Sequence, residues 1–303
     1  MSVRILTLVD TLKSIVTMNK LNRRSFLSQT SLSLGALALV NPNELFAAAG
    51  VNNMPIGFQT YVVREMLNKD FPGTLKIMAD MGYKIVEMCY PKTYAQLGFG
   101  PLAALKTSEI KKTIEDAGLT CPSSHFGYAD FTDEVRLNEA IQYSHDLGIT
   151  QVICSTFWIQ NKENLKISDY QEAADKLNKG AEKIKAAGLQ AGFHNHSFEF
   201  VMLDGSLVYD VLLQRFDPNL VKMQFQTEVI NYGFKASDYF KKYPGRFFSA
   251  HLSDWNTEKK AVPIGKGIIN WNEFFAEAKT GGVKNIFVEM GFETLKESAV
   301  YLA

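Results

Sequence analysis

Residues 81–90 read MGYKIVEMCY, and the same arrangement returns as AGLTCPSSHF at 117–126, LGITQVICST at 147–156 and AGLQAGFHNH at 187–196. In each stretch a glycine precedes a short apolar run. A glycine just past a helix supplies the left-handed residue that ends it, and the apolar run is typical of a buried parallel strand. The four glycines are 36, 30 and 40 residues apart, about the length of one βα unit. The pattern therefore predicts a repeated βα unit.

Four further apolar runs extend this series to eight. The additional predicted strands are Ile56–Tyr61, Val221–Phe225, Phe247–Ser253 and Asn285–Met290. Eight alternating units in about 250 residues favour a single (β/α)8 TIM barrel of the α/β class. A doubly wound sheet is the alternative, but the glycine-rich dinucleotide fingerprint expected after its first strand is missing. Nothing in the sequence after the first fifty residues indicates a linker or a second domain.

The first 49 residues have the layout of an export signal. The pair Arg23-Arg24 precedes an apolar run at 32–40, and the alanines at 47–49 offer a small-residue cleavage site. This order is that of a bacterial secretory signal, and the arginine pair resembles a twin-arginine signal. The apolar run is about half of the roughly 20 residues that a membrane anchor needs. We therefore expect an exported, periplasmic protein that comprises residues 50–303, has its true start near Met18 and carries no stable membrane anchor.

Composition narrows the possible partners. The 303 residues include 32 Lys+Arg and 32 Asp+Glu, and removal of the five basic and two acidic residues of the signal leaves 27 and 30, a net charge of −3. A slightly acidic protein offers no basic field for nucleic acid. Cys89, Cys121 and Cys154 are an odd number and lie within or beside apolar runs. They are interpreted as buried thiols rather than as a disulfide framework.

Polar side chains stand at the carboxyl ends of the predicted strands, where TIM barrels carry their chemistry. Four of the five histidines are among them, whereas His145 lies in a helical stretch and is interpreted as structural. Strand periodicity turns His194 and His196 to the same side. An ionised carboxylate within an apolar run such as IFVEM is costly unless it is paired or bound to a metal. The full set is Gln59, Glu87, His125, His194, His196, Gln224, Gln226, His251 and Glu289.

Imidazole and carboxylate groups without cysteine are the ligands of a divalent ion such as Mn, Co, Mg or Zn. Such an ion polarises a sugar carbonyl while a carboxylate or an imidazole removes the neighbouring proton. The combination predicts isomerisation, epimerisation or β-elimination through an enediolate-like intermediate. The expected partner is therefore a small-molecule carbohydrate.

These residues lie in segments that resemble the xylose-isomerase-like TIM-barrel superfamily, often called the sugar phosphate isomerase/epimerase family. The segments are distributed along residues 82–290 and read GYKIVEM, SSHFG, GFHNHSFEF, SAHLSD, PIGKGIINW and IFVEM, and the resemblance extends over essentially all of residues 50–303. The resemblance implies a TIM barrel and a metal-assisted enzyme. Related activities include ketose epimerases, dehydratases, 3-keto-glycoside lyases and apurinic endonucleases.

The resemblance also implies a set of metal ligands. In the family the metal is commonly held by Glu, Asp, His and Glu from strands five to eight. The corresponding residues here are His196 on strand five, with His194 as the alternative imidazole, and Gln226, His251 and Glu289 on the next three strands. Gln226 stands where relatives carry Asp. Because a carboxamide adds no negative charge, the affinity for a divalent ion should fall or the preferred metal should change. Glu228, two residues further along the predicted strand, is an alternative ligand.

Further roles follow from the same resemblance. The residues expected to take part in catalysis are Glu289, His196, Glu87 and His125. The residues expected to bind substrate are Gln59, His194, Trp158 and Glu199. Export and the lack of a phosphate-cradling loop favour a free sugar or keto-sugar over a phosphorylated one.

Three functions stay open at this point. The leading one is an exported sugar isomerase or epimerase, and a 3-keto-glycoside lyase or hydratase of the same fold is the nearest alternative. A catalytically impaired sugar-binding protein is the alternative from another class, because the strand-six carboxylate is missing at Gln226. A DNA-repair endonuclease is disfavoured by the predicted export and by the net charge.

Overall fold

Eight parallel strands close into a barrel in the computed structural model, which describes residues 54–159 and 162–303. The predicted export signal at 1–49 and the start near Met18 lie outside these residues. Around the barrel each strand pairs with its neighbours in sequence, and the first pairs with the last. The predicted TIM barrel is therefore confirmed. Its strands are β1 Ile56–Gln59, β2 Ile85–Cys89, β3 Thr120–Phe126, β4 Gln151–Cys154, β5 Gln190–His194, β6 Val221–Gln226, β7 Phe247–Leu252 and β8 Asn285–Val288.

A main helix follows each strand. These helices are α1 Phe71–Asp80, α2 Thr107–Asp116, α3 Glu134–Leu147, α4 Ile167–Ala186, α5 Val208–Arg215, α6 Ala236–Lys242, α7 Trp271–Gly281 and α8 Phe292–Leu302. The loops also contain short α-helices at Arg64–Lys69, Pro91–Tyr94, Gly100–Ala103 and Ala129–Thr132, and 3-10 helices at Thr60–Val63, Ala95–Leu97, Ser197–Glu199 and Thr227–Tyr232. Two antiparallel hairpins pair Met202–Leu203 with Ser206–Leu207 and Asp254–Trp255 with Ala261–Val262. No helix of the described residues is long and apolar enough to span a bilayer.

The glycines of the repeated unit end the helices, as predicted. Gly148, for example, follows α3 with a φ of 87°, and its backbone N–H donates to the carbonyl oxygens of Ser144 and His145. The apolar runs that follow are buried along their length in β2, β4 and β7. These strands therefore face the helices on one side and the barrel interior on the other, which is why they carry no alternating polar pattern.

Strand register brings the polar residues at the strand ends together. Gln59 of β1 lies opposite Glu87 of β2, and Glu87 lies opposite Ser123 of β3. On the other side of the barrel Gln226 of β6 lies opposite His251 of β7. Side chains that are far apart in sequence thus form two polar rows inside the carboxyl end of the barrel.

The cysteines are buried thiols, as predicted, and all three are free. His145 is exposed in the last turn of α3, on a helix rather than at a strand end.

Gly180 of α4 packs directly against the backbone carbonyl of Phe131. Alanine in place of glycine normally stabilises a helix interior by about 1 kcal/mol. Here a methyl group would overlap the oxygen of Phe131, so we expect Gly180→Ala to lower the free energy of unfolding by about 1–3 kcal/mol. Urea unfolding measures the change, with Gly100→Ala as the control because its added methyl would meet only an ordinary contact. A more stable Gly180→Ala protein would contradict this packing.

Candidate active site

Glu87 of β2 is a fully buried carboxylate inside the barrel. Its Oε2 accepts hydrogen bonds from Gln59 Nε2 at 3.0 Å and from the imidazole Nε2 of His251 at 2.5 Å. Its Oε1 accepts from Ser123 Oγ at 2.5 Å and from Gln224 Nε2 at 2.8 Å. Four donors from four different strands therefore satisfy this carboxylate, because a carboxylate has about four acceptor positions.

His251 of β7 joins two carboxylates. Its Nε2 meets Glu87, and its Nδ1 lies 2.9 Å from Oε2 of Glu289, which follows β8. Burial alone would lower the pKa of His251, but the charges and hydrogen bonds of Glu289 and Glu87 raise it to about 10. Burial alone would raise the pKa of Glu87, but the charges of His125 and His251 and the bonds from His251 and Ser123 lower it to about 2. Among the protein groups alone, His251 is therefore a cation between two anions.

Gln226 contacts the second of these carboxylates. Its side-chain Nε2 donates to Glu289 Oε2 at 2.5 Å, and its backbone N–H donates to Asn195 Oδ1 at 3.1 Å. A carboxylate at position 226 would repel Glu289 at this distance unless a cation lay between them. The amide removes that repulsion, so Gln226 and Glu289 can lie in contact without a cation between them.

Three imidazoles meet at the centre of the barrel mouth. His125, His194 and His251 each offer a ring nitrogen, and these nitrogens lie within 4.8 Å of one another. The ring centroids are 4.5–5.0 Å apart. Nδ1 of His194 is buried and has no hydrogen-bond partner among the described residues. Burial, with the neighbouring imidazole charges, holds the pKa of His194 well below its ordinary value, so this ring is neutral and able to act as a ligand.

This imidazole cluster could hold a divalent ion if His251 gave up one of its two ring protons, because only a neutral imidazole has a nitrogen lone pair for a metal. Three imidazoles, one of them with an unsatisfied buried nitrogen, are a donor set that zinc and related ions accept. In the part of the chain that the structure describes, it is the one group of three or more His, Cys, Asp or Glu side chains spaced to hold a metal. It shares His251 with the ligand set predicted from the sequence, which also includes His196, Gln226 and Glu289.

His196 lies one residue beyond Asn195, after the end of β5. Its ring is perpendicular to that of His194 at 4.8 Å and stacks on Phe198 at 4.8 Å. Its Nδ1 is also buried without a partner among the described residues, and burial lowers its pKa to about 4. The rings of His194 and His196 therefore lie side by side at the barrel mouth, which agrees with the parity argument.

Two acidic residues near these strand ends have structural contacts. Glu199 is buried, which raises its pKa to about 8, and its Oε2 accepts from the backbone N–H of His196 at 2.7 Å. It thereby caps the 3-10 helix Ser197–Glu199. Glu228 lies in the 3-10 helix Thr227–Tyr232, so strand parity does not extend to it; its backbone N–H approaches Gln226 Oε1 at 3.4 Å.

A cavity of about 140 Å³ opens above the imidazole cluster. Gln59, Glu87, Gln226 and His251 are not on its wall. Trp158 stands at its edge, 57% exposed and with a φ of 57°, a backbone conformation that costs a bulky residue free energy and recurs at functional sites. The cavity wall consists of Tyr61, Cys89, Tyr94, Leu97, His125, Ser155, Thr156, Trp158, His194, His196 and Glu289.

Several site residues escaped the sequence reasoning. Ser123 donates a hydrogen bond to Glu87, and Ser249 accepts one from Gln224. Each serine lies two positions before a histidine of the same strand, His125 or His251, so strand periodicity could have identified both. Tyr61, Tyr94 and Ser155 come from loops after β1, β2 and β4. No sequence pattern identifies such loop residues, because their approach depends on how the loops fold over the barrel.

Fold and site together define a TIM barrel with a polar, histidine-rich centre at the carboxyl ends of its strands. The chain belongs to the xylose isomerase-like TIM barrel family, whose model matches residues 75–299. None of the curated proteins matches its sequence.

Solved structures with the same fold include sugar-processing proteins. A sugar phosphate isomerase/epimerase from Parabacteroides distasonis ATCC 8503 is 23% identical, with a TM-score of 0.70 over 82% of this chain and 93% of that one. The IOLI protein with a bound zinc atom is 14% identical, with a TM-score of 0.60 over 82% and 95%. D-psicose 3-epimerase, determined in the presence of D-fructose, is 15% identical, with a TM-score of 0.57 over 82% and 96%.

Proposed function

We propose that this protein is an enzyme of the sugar isomerase or epimerase kind that moves a proton at the carbon next to a sugar carbonyl. The observation that carries the proposal is the position of Glu289. Its carboxylate reaches the cavity wall, while His251 and Gln226 bond to it from behind. A carboxylate can act as the general base in such a proton transfer, and imidazoles on the same cavity wall can act as the general acid. Membership of the xylose isomerase-like family supports the same class of reaction.

Glu289 is the proposed base. Burial opposes its ionisation, but the charge and hydrogen bond of His251 lower its pKa, so the carboxylate is free to accept a proton at neutral pH. His196 lies on the same cavity wall, and burial lowers its pKa to about 4. A neutral imidazole there can accept a hydrogen bond from a sugar hydroxyl and relay a proton. Return of the proton to the opposite face gives an epimer, and return to the adjacent carbon gives an isomer.

The proposed cofactor is a divalent ion held by His251, His125 and His194, with Glu289 beside it. When bound, such an ion polarises the carbonyl oxygen of the sugar and stabilises the negative charge that forms there. Gln226 contributes no charge to the site, so we expect weaker binding than in a site with Asp at this position. Substitution of His194 and, separately, of His196 by alanine would distinguish the imidazole cluster from the set expected from the sequence.

The proposed substrate is an uncharged monosaccharide or keto-sugar. None of the residues that line the cavity is Lys or Arg, the side chains that bind phosphate groups. Tyr61, Tyr94 and Trp158 supply aromatic surface on one side, which suits the apolar face of a sugar ring. The volume of about 140 Å³ is below the roughly 300–1,000 Å³ of pockets for drug-sized ligands. A single sugar unit matches these dimensions.

A substrate panel tests the proposal. Free sugars, keto-sugars, 3-keto-glycosides and sugar phosphates are each incubated with the protein and Mn, Co, Mg or Zn, and exchange of carbon-bound hydrogen with solvent deuterium is followed by NMR. We expect exchange and a new epimer or isomer with an uncharged sugar. Release of the aglycone from a 3-keto-glycoside would instead identify the lyase. Exchange with sugar phosphates alone would contradict the proposed substrate class.

A sugar-binding protein without turnover is the second candidate, because Gln226 already satisfies Glu289 without a metal ion. Elemental analysis and calorimetry separate the two functions. Sugar binding without hydrogen exchange, combined with metal binding that appears only in Gln226→Asp, would identify the binding protein. Metal binding and exchange in the unsubstituted protein would identify the enzyme.

We propose in addition that the protein is exported through its predicted twin-arginine signal. Expression in a Gram-negative host, followed by amino-terminal sequencing of the periplasmic fraction, tests this proposal. A mature protein that begins near Gly50 is expected. Loss of export when Arg23 and Arg24 are replaced by lysine would support the route, and an uncleaved cytoplasmic protein would contradict it.

A further inference from the structure

Glu87 is separated from the cavity, although it is the most connected carboxylate of the site. It is fully buried and absent from the cavity wall, and its two oxygens receive donors from β1, β3, β6 and β7. The imidazole Nε2 of His125 also approaches its Oε2, at 3.2 Å. A carboxylate with all acceptor positions filled has no free lone pair for a sugar hydroxyl or a substrate proton. Any effect of Glu87 on the proposed reaction must therefore act through one of the residues that bond to it.

His251 is the partner through which Glu87 can reach the reacting atoms. One side of the ring, Nε2, is held by Glu87, and the other side, Nδ1, faces Glu289 at 2.9 Å. The ring is fully buried, so bulk solvent does not reach either bond. A histidine fixed through one nitrogen presents the other in a defined direction.

We propose that Glu87 is the positioning residue of His251: by bonding Nε2 it turns Nδ1 toward Glu289 and the metal-binding imidazole cluster. This inference rests on the proposed function, because it assigns His251 to that cluster and Glu289 to the proton transfer. Gln59, Ser123 and Gln224 are the remaining donors to Glu87, and because they share its two oxygens no single one of them holds the carboxylate alone. Glu87 consequently orients the site from below without touching substrate.

Three variants separate positioning from simple stability. Glu87→Leu removes both acceptor oxygens, whereas Glu87→Gln keeps one neutral oxygen that can still accept from His251. Ser123→Ala removes a different donor to the same carboxylate and leaves the bond to His251 in place. It is the matched control, because it damages the same buried network without releasing the imidazole.

Cobalt(II) affinity and the visible spectrum of the cobalt-loaded protein are the first readouts. Loss of a partner that orients a metal-bound histidine typically lowers metal affinity by about 10–100-fold. We expect Glu87→Leu to show this loss with an altered spectrum, Glu87→Gln a smaller loss, and Ser123→Ala an affinity within about threefold of the unsubstituted protein. Equal losses in Ser123→Ala and Glu87→Leu would overturn the proposal.

Crystal structures of the unsubstituted protein and of Glu87→Gln and Glu87→Leu are the second readout, and they need neither metal nor substrate. We expect the His251 ring to rotate away from Glu289 in Glu87→Leu; in Glu87→Gln the amide is expected to leave a longer, weaker contact at Nε2. An unchanged His251 orientation in both variants would overturn the proposal even if activity fell. If the unsubstituted protein bound no cobalt, the proposed metal site would fail, and the crystal structures would still decide the role of Glu87. If Glu87→Leu did not fold, Glu87→Gln alone would supply both readouts.

Discussion

Replacement of Glu289 by glutamine is expected to reduce turnover of the sugar identified by the substrate panel by about 1,000-fold, within the 10²–10⁴-fold range of general acid–base catalysis. Glutamine has nearly the same shape but cannot take up a proton. Its carbonyl oxygen can still accept a hydrogen bond from Gln226 or from His251, which bond to Glu289 in the unsubstituted protein. The fold should therefore survive while the base is lost. Initial rates, together with the midpoint of thermal unfolding, measure the two effects separately.

Glu228→Gln is the matched control for this experiment. Glu228 is a half-buried carboxylate two residues beyond Gln226, and burial and the charge of Glu289 raise its pKa. It lies in a 3-10 helix and is not on the cavity wall. We expect its turnover to stay within about threefold of the unsubstituted protein, since a peripheral charge acts only through screened electrostatics. Comparable rates for Glu289→Gln and the unsubstituted protein would remove Glu289 from the mechanism.

Replacement of His251 by leucine is expected to lower the free energy of unfolding by about 3–5 kcal/mol at pH 7, the usual cost of removing one partner of a buried ion pair. His251 bonds to both Glu87 and Glu289, and the first of these is fully buried. Without the imidazolium, both carboxylates would lose their shared cationic partner inside the barrel. Urea unfolding in the presence of a chelator measures the protein groups alone. His145→Gln, at an exposed helix end, should change stability by less than about 1 kcal/mol.

The loss of stability in His251→Leu should depend on pH in a defined direction. In the unsubstituted protein the pKa of Glu87 is lowered to about 2, below its ordinary 4.5, so its contribution is present above pH 4.5 and disappears as pH falls toward 2. In His251→Leu, burial without a neighbouring cation raises the pKa of Glu87. The variant is therefore destabilised at neutral pH, where Glu87 is ionised, and recovers stability when Glu87 is protonated at lower pH. The pKa of His251 is raised to about 10, so its contribution is complete below its ordinary pKa and disappears as pH rises through 10. The difference between the two proteins should therefore be largest near pH 7 and shrink toward pH 4. A difference that is constant over this range would show that packing, not charge, determines the cost.

The main elements of the barrel were predictable because their signals are local. A helix-ending glycine indicates the local backbone conformation, and a continuous apolar run indicates a buried strand. The strands β2, β4 and β7 are buried along their length, as their apolar runs predict. The strand-end histidines were predictable for a related reason, since a polar group at the end of a buried strand points to the barrel mouth. Glu228 marks the limit of this reasoning, because the strand ends at Gln226 and parity stops there.

Local sequence signals were enough to predict the TIM barrel, the buried cysteines and the end of the barrel where the polar residues meet, because strand periodicity and helix caps act over a few residues. Which of these polar residues face the cavity, and which bond to one another, depends on contacts across the closed barrel. Glu87 and Glu289 end similar apolar runs, yet four donors enclose the first and the second reaches the cavity wall. That difference arises from pairings between β1, β3, β6, β7 and β8 across the closed barrel. The contacts join residues up to 164 positions apart, and no local pattern specifies them.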